Sequence, residues 1–241
     1  MSAGLGRFSA AIRAENARGR VAVIPDIKRV SPKEGDLLGG RDPVETAKFL
    51  VACGAPLLSV VTERERFGGS PELLRSIAEA VGNDAPILRK DFIADEDGLK
   101  ETLALGASAV LLICASADGK TLSMLYEKAL ALGLEPLVET CTAAEMELAG
   151  RLGARLIGVN NRDIATLELD DGGPSRTASL AAGAPAGALL VSESGILSPA
   201  DARLAASAGA DALLVGTALW KAPDMKAAYI SLRVERVSGK R

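Results

Sequence analysis

The sequence predicts a single α/β domain built as a closed (βα)8 barrel, the TIM-barrel architecture, and three observations support this prediction. Eight short apolar runs alternate with helical patterns, and successive runs end about 20–35 residues apart, the length of one βα unit. The runs are continuously apolar, as parallel strands buried on both faces are. The chain has 241 residues, which suits one such barrel.

Each predicted strand is bounded by turn residues or by the start of a helical pattern. In chain order the predicted strands are Val21–Lys28, Pro56–Thr62, Pro86–Lys90, Ala109–Cys114, Pro136–Glu139, Leu156–Asn160, Ala188–Glu193 and Ala212–Gly216.

Capping residues mark the starts of several predicted helices. A proline follows the capping residue at Asp42-Pro43, Ser70-Pro71 and Ser198-Pro199, and Thr142 forms a capping box with Glu145. The unit between the sixth and seventh strands is the least clear, and its helix is predicted over Ser175–Ala182.

A Gly-Ala pair precedes the second, fourth, sixth and eighth predicted strands, with the glycines at Gly54, Gly106, Gly153 and Gly209. Each glycine is expected to end the preceding helix in a left-handed conformation. A repeat of two βα units that occurs four times favours a closed eightfold barrel. An open doubly wound sheet is disfavoured, because no GxGxxG follows the first strand.

The chain is predicted to form one domain over residues 1–241, since no linker or low-complexity segment divides it. Residues 1–20 are expected to form a short leading helix with Leu5, Phe8 and Ile12 on one face.

The composition excludes several classes of function. The chain has no histidine, so it cannot hold a Ser-His-Asp or Cys-His nucleophile or a His-ligated metal. The net charge is −3 and aromatic residues make up 3%, which argues against a nucleic-acid surface. The longest apolar run, Ala109–Ala115, is too short to span a membrane. Proton transfers must therefore fall to lysine and carboxylate side chains.

Cys53, Cys114 and Cys141 lie in or beside apolar segments without CxxC spacing, and are expected to be buried, reduced thiols. The N-terminus has no apolar signal segment. A cytoplasmic protein is therefore expected.

Six charged and polar residues lie at the ends of five of the predicted strands, where a barrel of this kind has its active site. These candidates are Asp26, Lys28, Lys90, Glu139, Asn160 and Glu193. Asp26 and Lys28 are two residues apart and so share one face of the first strand. Two lysines among three carboxylates form an acid/base set that needs no histidine.

Small residues follow the last two strands, at Ser194-Gly195 and Gly216-Thr217. They allow backbone N–H groups to approach an anion at the usual phosphate site of this fold, so a small phosphorylated substrate is expected. The Ser31 hydroxyl is a further donor. Phe67 and Phe92 either wall the pocket or pack against neighbouring helices.

Seven segments resemble, in order and spacing, the signature segments of the indole-3-glycerol-phosphate synthase family. They are IPDIKRVSPKEG, LSVVTERERFGGS, ILRKDFIADE, LVET, IGVNNRD, VSESGI and LLVGTALW, and they cover about residues 20–220. The resemblance implies a barrel that closes the indole ring of 1-(2-carboxyphenylamino)-1-deoxyribulose 5-phosphate with loss of CO2 and water, without a metal or organic cofactor.

The resemblance also implies roles by matching position. Lys90 resembles the general acid, Lys28 the lysine that meets the substrate carboxylate, and Glu139 the general base. The residues that hold the substrate in the family correspond to Asn160, Arg162 and Glu193. The residues of its phosphate site correspond to Ser31, Ser194, Gly195, Gly216 and Thr217, and those of its aromatic pocket walls to Phe67 and Phe92.

Three features depart from the family pattern. Asp26 stands where the family usually has Glu, Cys141 where it usually has His, and the leader before the first strand is shorter. Two alternatives remain open: an aminosugar-phosphate isomerase on the same barrel, and a non-catalytic homologue that binds a phosphorylated ligand. A monomer or weak homo-oligomer is expected.

Overall fold

The computed structural model describes residues 6–162 and 173–237, and within them eight parallel strands close into a barrel. The barrel strands, in the order in which they pair, are β1 (Ala22–Ile27), β4 (Leu58–Val61), β5 (Ile87–Lys90), β6 (Ala109–Ile113), β7 (Glu135–Thr140), β8 (Leu156–Asn160), β9 (Leu189–Glu193) and β10 (Ala212–Val215). β10 pairs with β1 and closes the sheet. A short antiparallel hairpin, β2 (Val30–Ser31) and β3 (Gly35–Asp36), follows β1. The predicted fold class is confirmed, and the predicted strand ends agree to within two residues.

Helices precede, alternate with and follow these strands. They are α1 (Arg7–Ala17), α2 (Pro43–Ala52), α3 (Pro71–Val81), α4 (Glu96–Ala104), α5 (Gly119–Ala131), α6 (Ala143–Arg151), α7 (Ser175–Leu180), α8 (Pro199–Ala208), α9 (Thr217–Trp220) and α10 (Met225–Ser231). The helix predicted over Ser175–Ala182 is α7, which continues as a 3-10 turn over Ala181–Gly183.

The predicted caps are present. The Asp42 carboxylate accepts hydrogen bonds from the backbone of Val44 and Glu45, at 2.7 and 2.9 Å. Ser70 and Ser198 cap α3 and α8, and Thr142 with Glu145 forms the complete capping box of α6. Because each cap satisfies N–H groups that the first helical turn leaves open, the sequence fixes where these helices begin.

Left-handed glycines end the helices before the even-numbered barrel strands, as predicted, with φ of 94° at Gly54 and 100° at Gly209. Gly106 and Gly153 have the same conformation. Gly133, before β7, also has a positive φ of 81° without a following alanine. A left-handed glycine at the end of a helix is therefore also found before a strand that lacks the Gly-Ala pair.

The leading helix α1 covers the end of the barrel at which the strands begin. Phe8 and Ile12 are fully buried and pack among side chains of the barrel interior, including Ile24 and Leu137. The Glu135 carboxylate accepts hydrogen bonds from the backbone N–H of Phe8, at 2.6 Å, and of Ser9. Leu5 lies outside the described residues. The apolar interior and α1 thus close one end and leave the opposite end for polar groups.

The cysteines are free, and only Cys114 is buried. Cys53 and Cys141 are half-buried, so the expectation of three buried thiols is wrong for these two. The reason is their position: Cys53 ends α2, on the outer layer, and Cys141 follows β7 at the rim of the barrel. Among the helices within residues 6–162 and 173–237, none is both long and apolar enough for a membrane span.

Candidate active site

The six charged and polar residues from the strand ends lie together at the end of the barrel where the strands terminate, here called the mouth. Asp26 and Glu193 are 4% and 1% exposed, and Glu139 is 1% exposed. Lys28 and Asn160 are also buried, and Lys90 is half-buried. Five polar side chains are therefore withdrawn from water at one place, which requires compensation or a function.

Asp26 is held by the neighbouring strand. Its register partner on β4 is Ser59, whose hydroxyl donates a 2.6 Å hydrogen bond to Asp26 Oδ1. The Trp220 indole N–H donates to the Asp26 backbone oxygen at 2.9 Å. Neither partner was predicted. A serine within a buried apolar run needs a hydrogen-bond partner, and this was the available signal for Ser59.

Lys28 lies beside an aromatic ring. Its Nζ is 5.5 Å from the ring centroid of Phe67, in the loop after β4, a favourable cation–π geometry. Phe92 is 39% exposed, and its ring lies 5.4 Å from the Arg66 guanidinium. The structure thus brings Phe67 to the charged cluster and leaves Phe92 at the rim.

Arg89 fixes the strand end that carries Lys90. Its guanidinium is buried on the opposite side of β5, where Nε donates to Thr62 Oγ1 at 3.0 Å. The other guanidinium nitrogens contact Asp91 at 3.1 Å and Glu101 at 2.8 Å. Neighbouring residues of a strand point to opposite faces, so this network holds the backbone from which Lys90 projects to the mouth. Sequence reasoning missed it.

The pKa of the Glu193 carboxyl at the mouth is strongly shifted. Burial raises its pKa well above the usual value, and the nearby Glu139 carboxylate adds to that rise. The positive charge of Lys90 acts in the opposite direction and does not cancel it. A carboxyl with a raised pKa is suited to hold or release a proton near neutral pH.

Asn160 and Arg162 form the exit from β8. The Asn160 side-chain oxygen accepts a 3.1 Å hydrogen bond from the Arg162 backbone, and Arg176 donates to the Asn160 backbone oxygen at 2.8 Å.

Cys141, where the family pattern usually has His, is also close to the mouth. Burial and then the Glu139 charge raise the pKa of its thiol to about 12. This thiol therefore stays protonated and cannot replace an imidazole.

A pocket at the mouth joins Asp26, Lys28 and Lys90 to the two expected anion turns, while Glu139, Asn160 and Glu193 lie outside its lining. It is lined by Asp26, Lys28, Lys90, Arg162, Ser194, Gly195, Ile196, Leu197, Leu214, Val215, Gly216 and Thr217. The four apolar residues in this lining were not predicted.

Ser194 has a φ of 62°, which a non-glycine residue rarely adopts, and Gly195 follows with 70°. Such backbone strain is typical of ligand-binding turns. Ser31 lies outside this lining, on β2. Its buried hydroxyl has no hydrogen-bond partner in the part of the chain that the structure describes. In residues 6–162 and 173–237, no cluster of three Cys, Asp or Glu side chains is arranged to hold a metal ion.

Comparison with known proteins shows what this arrangement resembles. The model of the family described as indole-3-glycerol phosphate synthase matches residues 3–232. Indole-3-glycerol phosphate synthase from Nocardioides sp. is 44% identical over 90% of this chain and 80% of its own length. The protein of that name from Carboxydothermus hydrogenoformans is 42% identical over 89% of this chain and 80% of its own length.

A solved structure, thiamine phosphate pyrophosphorylase from Pyrococcus furiosus, has a TM-score of 0.66 and is 17% identical. The match covers 90% of this chain and 96% of that one. At this identity the likeness shows the fold alone.

Proposed function

The chain belongs to the indole-3-glycerol phosphate synthase family, whose members are carboxy-lyases of tryptophan biosynthesis, and we propose that the mouth of its barrel carries out this reaction. The substrate is 1-(2-carboxyphenylamino)-1-deoxyribulose 5-phosphate, and the products are indole-3-glycerol phosphate, CO2 and water. The observation that carries the proposal is a pocket in which Lys28, Lys90 and Asp26 lie beside the two anion turns. The buried carboxyl groups of Glu139 and Glu193 lie behind this lining, at the same mouth.

Ring closure needs an acid at the substrate ketone. The Lys90 ammonium polarises the carbonyl oxygen and protonates it while the aryl carbon attacks the carbonyl carbon. Positive charge then develops on the anilino ring system, and the buried Glu139 carboxylate stabilises it. The Lys28 ammonium forms an ion pair with the substrate carboxylate until the bond between that carboxylate and the aryl ring breaks. The bonding pair returns to the ring as CO2 leaves, which restores aromaticity.

Dehydration needs an acid and a base again. An acid protonates the new hydroxyl, which leaves as water, and Glu139 removes the proton that completes the indole double bond. Asp26 and Glu193 hold the lysines in register. The raised pKa of Glu193 lets it keep a proton among neighbouring carboxylates.

The phosphate is expected at the two turns. Backbone N–H groups at Ser194, Gly195, Gly216 and Thr217 bind it, and Ser31 supplies a hydroxyl. Asn160 and Arg162 hold the polar part of the substrate, while Phe67 and Phe92 border its aromatic part. The positive φ of Ser194 supports this assignment, because non-glycine residues in this conformation are concentrated at ligand-binding sites.

The test is to add the carboxyphenylamino substrate to the purified chain and to follow indole fluorescence. We expect turnover that persists after dialysis against a chelator, since the proposed chemistry uses side chains alone. Binding of the substrate without indole formation would favour a non-catalytic homologue. Isomerisation of an aminosugar phosphate without indole formation would favour the isomerase alternative.

The remaining proposals concern the state of the protein. The chain works in the cytoplasm as one domain and as a monomer or weak homo-oligomer. Its three free thiols suit a reducing compartment. Sedimentation equilibrium at micromolar concentration measures the oligomeric state, and one cooperative unfolding transition is expected of a single domain.

A further inference from the structure

Gly158 lies on the inner side of β8, between the two strands that carry buried carboxyl groups. It pairs in register with Glu139 on β7 and with Val191 on β9. A Cβ at Gly158 would overlap Glu193 Oε1 and lie 3.0 Å from Glu193 Cδ. The next nearest atom is Leu137 Cδ1, at 3.5 Å, an ordinary contact. The Glu193 carboxyl therefore occupies the space that a side chain would fill.

The Glu193 carboxyl faces another acid across this space. Glu139 on β7 is within hydrogen-bonding reach, and Lys90 on β5 and Asp26 on β1 also act on Glu193 electrostatically. Within the part of the chain that the structure describes, no N–H or O–H group donates to either Glu193 oxygen. A hydrogen bond between two carboxyl groups needs a proton on one of them. Two adjacent buried carboxyl groups cannot both be ionised cheaply.

We infer that Gly158 is a positioning residue whose missing side chain lets the Glu193 carboxyl lie across β8 and share one proton with Glu139. The inference rests on the proposed function, in which Glu139 is the base. The shared proton resides on Glu193 and is donated to the Glu139 carboxylate. A donated hydrogen bond favours the ionised, basic form of Glu139 while a second negative charge is avoided.

The strand itself resists change at this position. Thr140 Oγ1 donates a 2.8 Å hydrogen bond to the Gly158 backbone oxygen, and β8 is paired on both sides. Gly158 is not among the glycines with a positive φ, so alanine fits its backbone conformation. A methyl group there would therefore displace the flexible Glu193 side chain and leave the barrel intact.

Infrared titration of the full chain tests the inference without any need for turnover. We expect wild type at neutral pH to show the carbonyl stretch of a protonated carboxyl group, and Glu193→Gln to lack it. Gly158→Ala should lower the pH at which this carboxyl ionises by about one unit or more, because the displaced group leaves its acidic neighbour. Gly150→Ala on α6 is the matched control, since its Cβ would meet only Pro185 at 3.5 Å. It should titrate as wild type does.

Kinetics supply a second readout. Gly158→Ala should lower kcat/KM by about 100-fold, the cost of misplacing a catalytic group by about 1 Å. The acid limb of its pH profile should move to higher pH, since Glu139 loses the hydrogen bond that favours its ionised form. Gly150→Ala should change neither quantity.

The infrared titration overturns the inference if wild type has no protonated carboxyl at neutral pH, or if Gly158→Ala has an unchanged titration. A loss of activity that is equal at every pH would also overturn it, because that loss indicates a merely structural effect. Failure of the proposed function is distinguishable, since it appears as absent indole formation in wild type whatever the infrared titration gives.

Discussion

Buried glutamates at the two ends of the barrel have pKa values shifted in opposite directions. Glu15, on α1 at the closed end, is 4% exposed and contacts Arg18, Arg20 and Arg233. Burial acts to raise its pKa, but the hydrogen bonds from the arginines outweigh it and the pKa is lowered. Glu193, at the mouth, is 1% exposed and has a strongly raised pKa, because burial and Glu139 outweigh Lys90.

Burial alone therefore does not decide the protonation of a carboxyl group in this barrel; its neighbours do. At the closed end the arginines make the carboxylate a source of stability. At the mouth, several carboxyl groups share a small volume, so that ionising all of them opposes folding and a proton is retained for transfer. The comparison predicts that changes at the mouth act on turnover and changes at the closed end on stability.

The largest effect is expected at the mouth. Lys90→Met should lower kcat by about 10²–10⁴-fold, the usual contribution of a positioned general acid, because methionine keeps the length of the side chain without its proton. The free energy of unfolding should stay close to that of wild type. Steady-state kinetics and denaturant unfolding measure the two quantities.

Lys100→Met is the control for this change, because Lys100 lies on the outer helix α4 and pairs with Glu96. It should leave kcat unchanged. Turnover of Lys90→Met near the wild-type value would remove Lys90 from the mechanism and weaken the distinction between the two ends.

The closed end should respond in stability. Glu15→Gln should lower the free energy of unfolding at pH 7 by about 2 kcal/mol, the typical contribution of hydrogen bonds to a charged group. Arg18 is 63% exposed, so solvent screens its share and most of the effect comes from Arg20 and Arg233. We expect kcat to be unchanged. A drop in kcat with unaltered stability would contradict the comparison.

The pH dependence of this difference has a definite sign. The pKa of Glu15 is lowered in the folded state, so its contribution is complete above the unfolded value of about 4.3 and is lost as the pH falls through the folded value. Unfolding measured between neutral and acidic pH should therefore show wild type and Glu15→Gln converging in acid. Glu147→Gln, on the exposed surface of α6, should show no such convergence.

The barrel could be predicted because its signals are local. A continuous apolar run and a capping residue each lie within a few positions, and the predicted strand Leu156–Asn160 coincides with β8. The set of strand-end residues followed from the fold, since every parallel strand of a barrel ends at the same mouth. This prediction did not require knowing which residues of neighbouring strands pair with each other.

The partners of those residues depend on register between strands, which one sequence does not reveal. Ser59 is 33 positions from Asp26, and the two meet because β1 and β4 pair at that point. Gly158 reads as an ordinary strand glycine until the Glu193 side chain is seen to occupy its missing Cβ. The position of α1 at the closed end likewise depends on packing between distant segments.

The anion turns offer a smaller test. Gly216→Val should raise KM by about 10–100-fold, the loss of hydrogen bonds to a charged group, with a lesser effect on kcat. A Cβ at Gly216 would lie 3.4 Å from Asp26 Oδ2, so the larger side chain narrows the pocket from the phosphate side. Soaking crystals in sulfate should show the anion between Ser194-Gly195 and Gly216-Thr217. An anion found only elsewhere would count against a phosphorylated substrate.

The smallest effect concerns the carboxylate that is one methylene shorter than in the family pattern. Asp26→Asn keeps the shape of the side chain and an oxygen that accepts from Ser59, so it removes the charge alone. We expect it to lower kcat/KM about tenfold, the value of one charge-assisted contact. Asp26→Glu keeps the charge and extends it past Ser59 toward the pocket.

Asp26→Glu should therefore stay within about threefold of wild type or exceed it, because it keeps the charge that the asparagine variant removes. Steady-state kinetics of both variants beside wild type decide the matter. If Asp26→Asn equals wild type in kcat and kcat/KM, the charge of Asp26 takes no part in the rate-limiting steps. The hydrogen bond between Ser59 and Asp26 would then contribute to stability, as the contacts of Glu15 at the closed end do. Asp26 would in that case belong to the residues that act on stability, although it lies at the mouth.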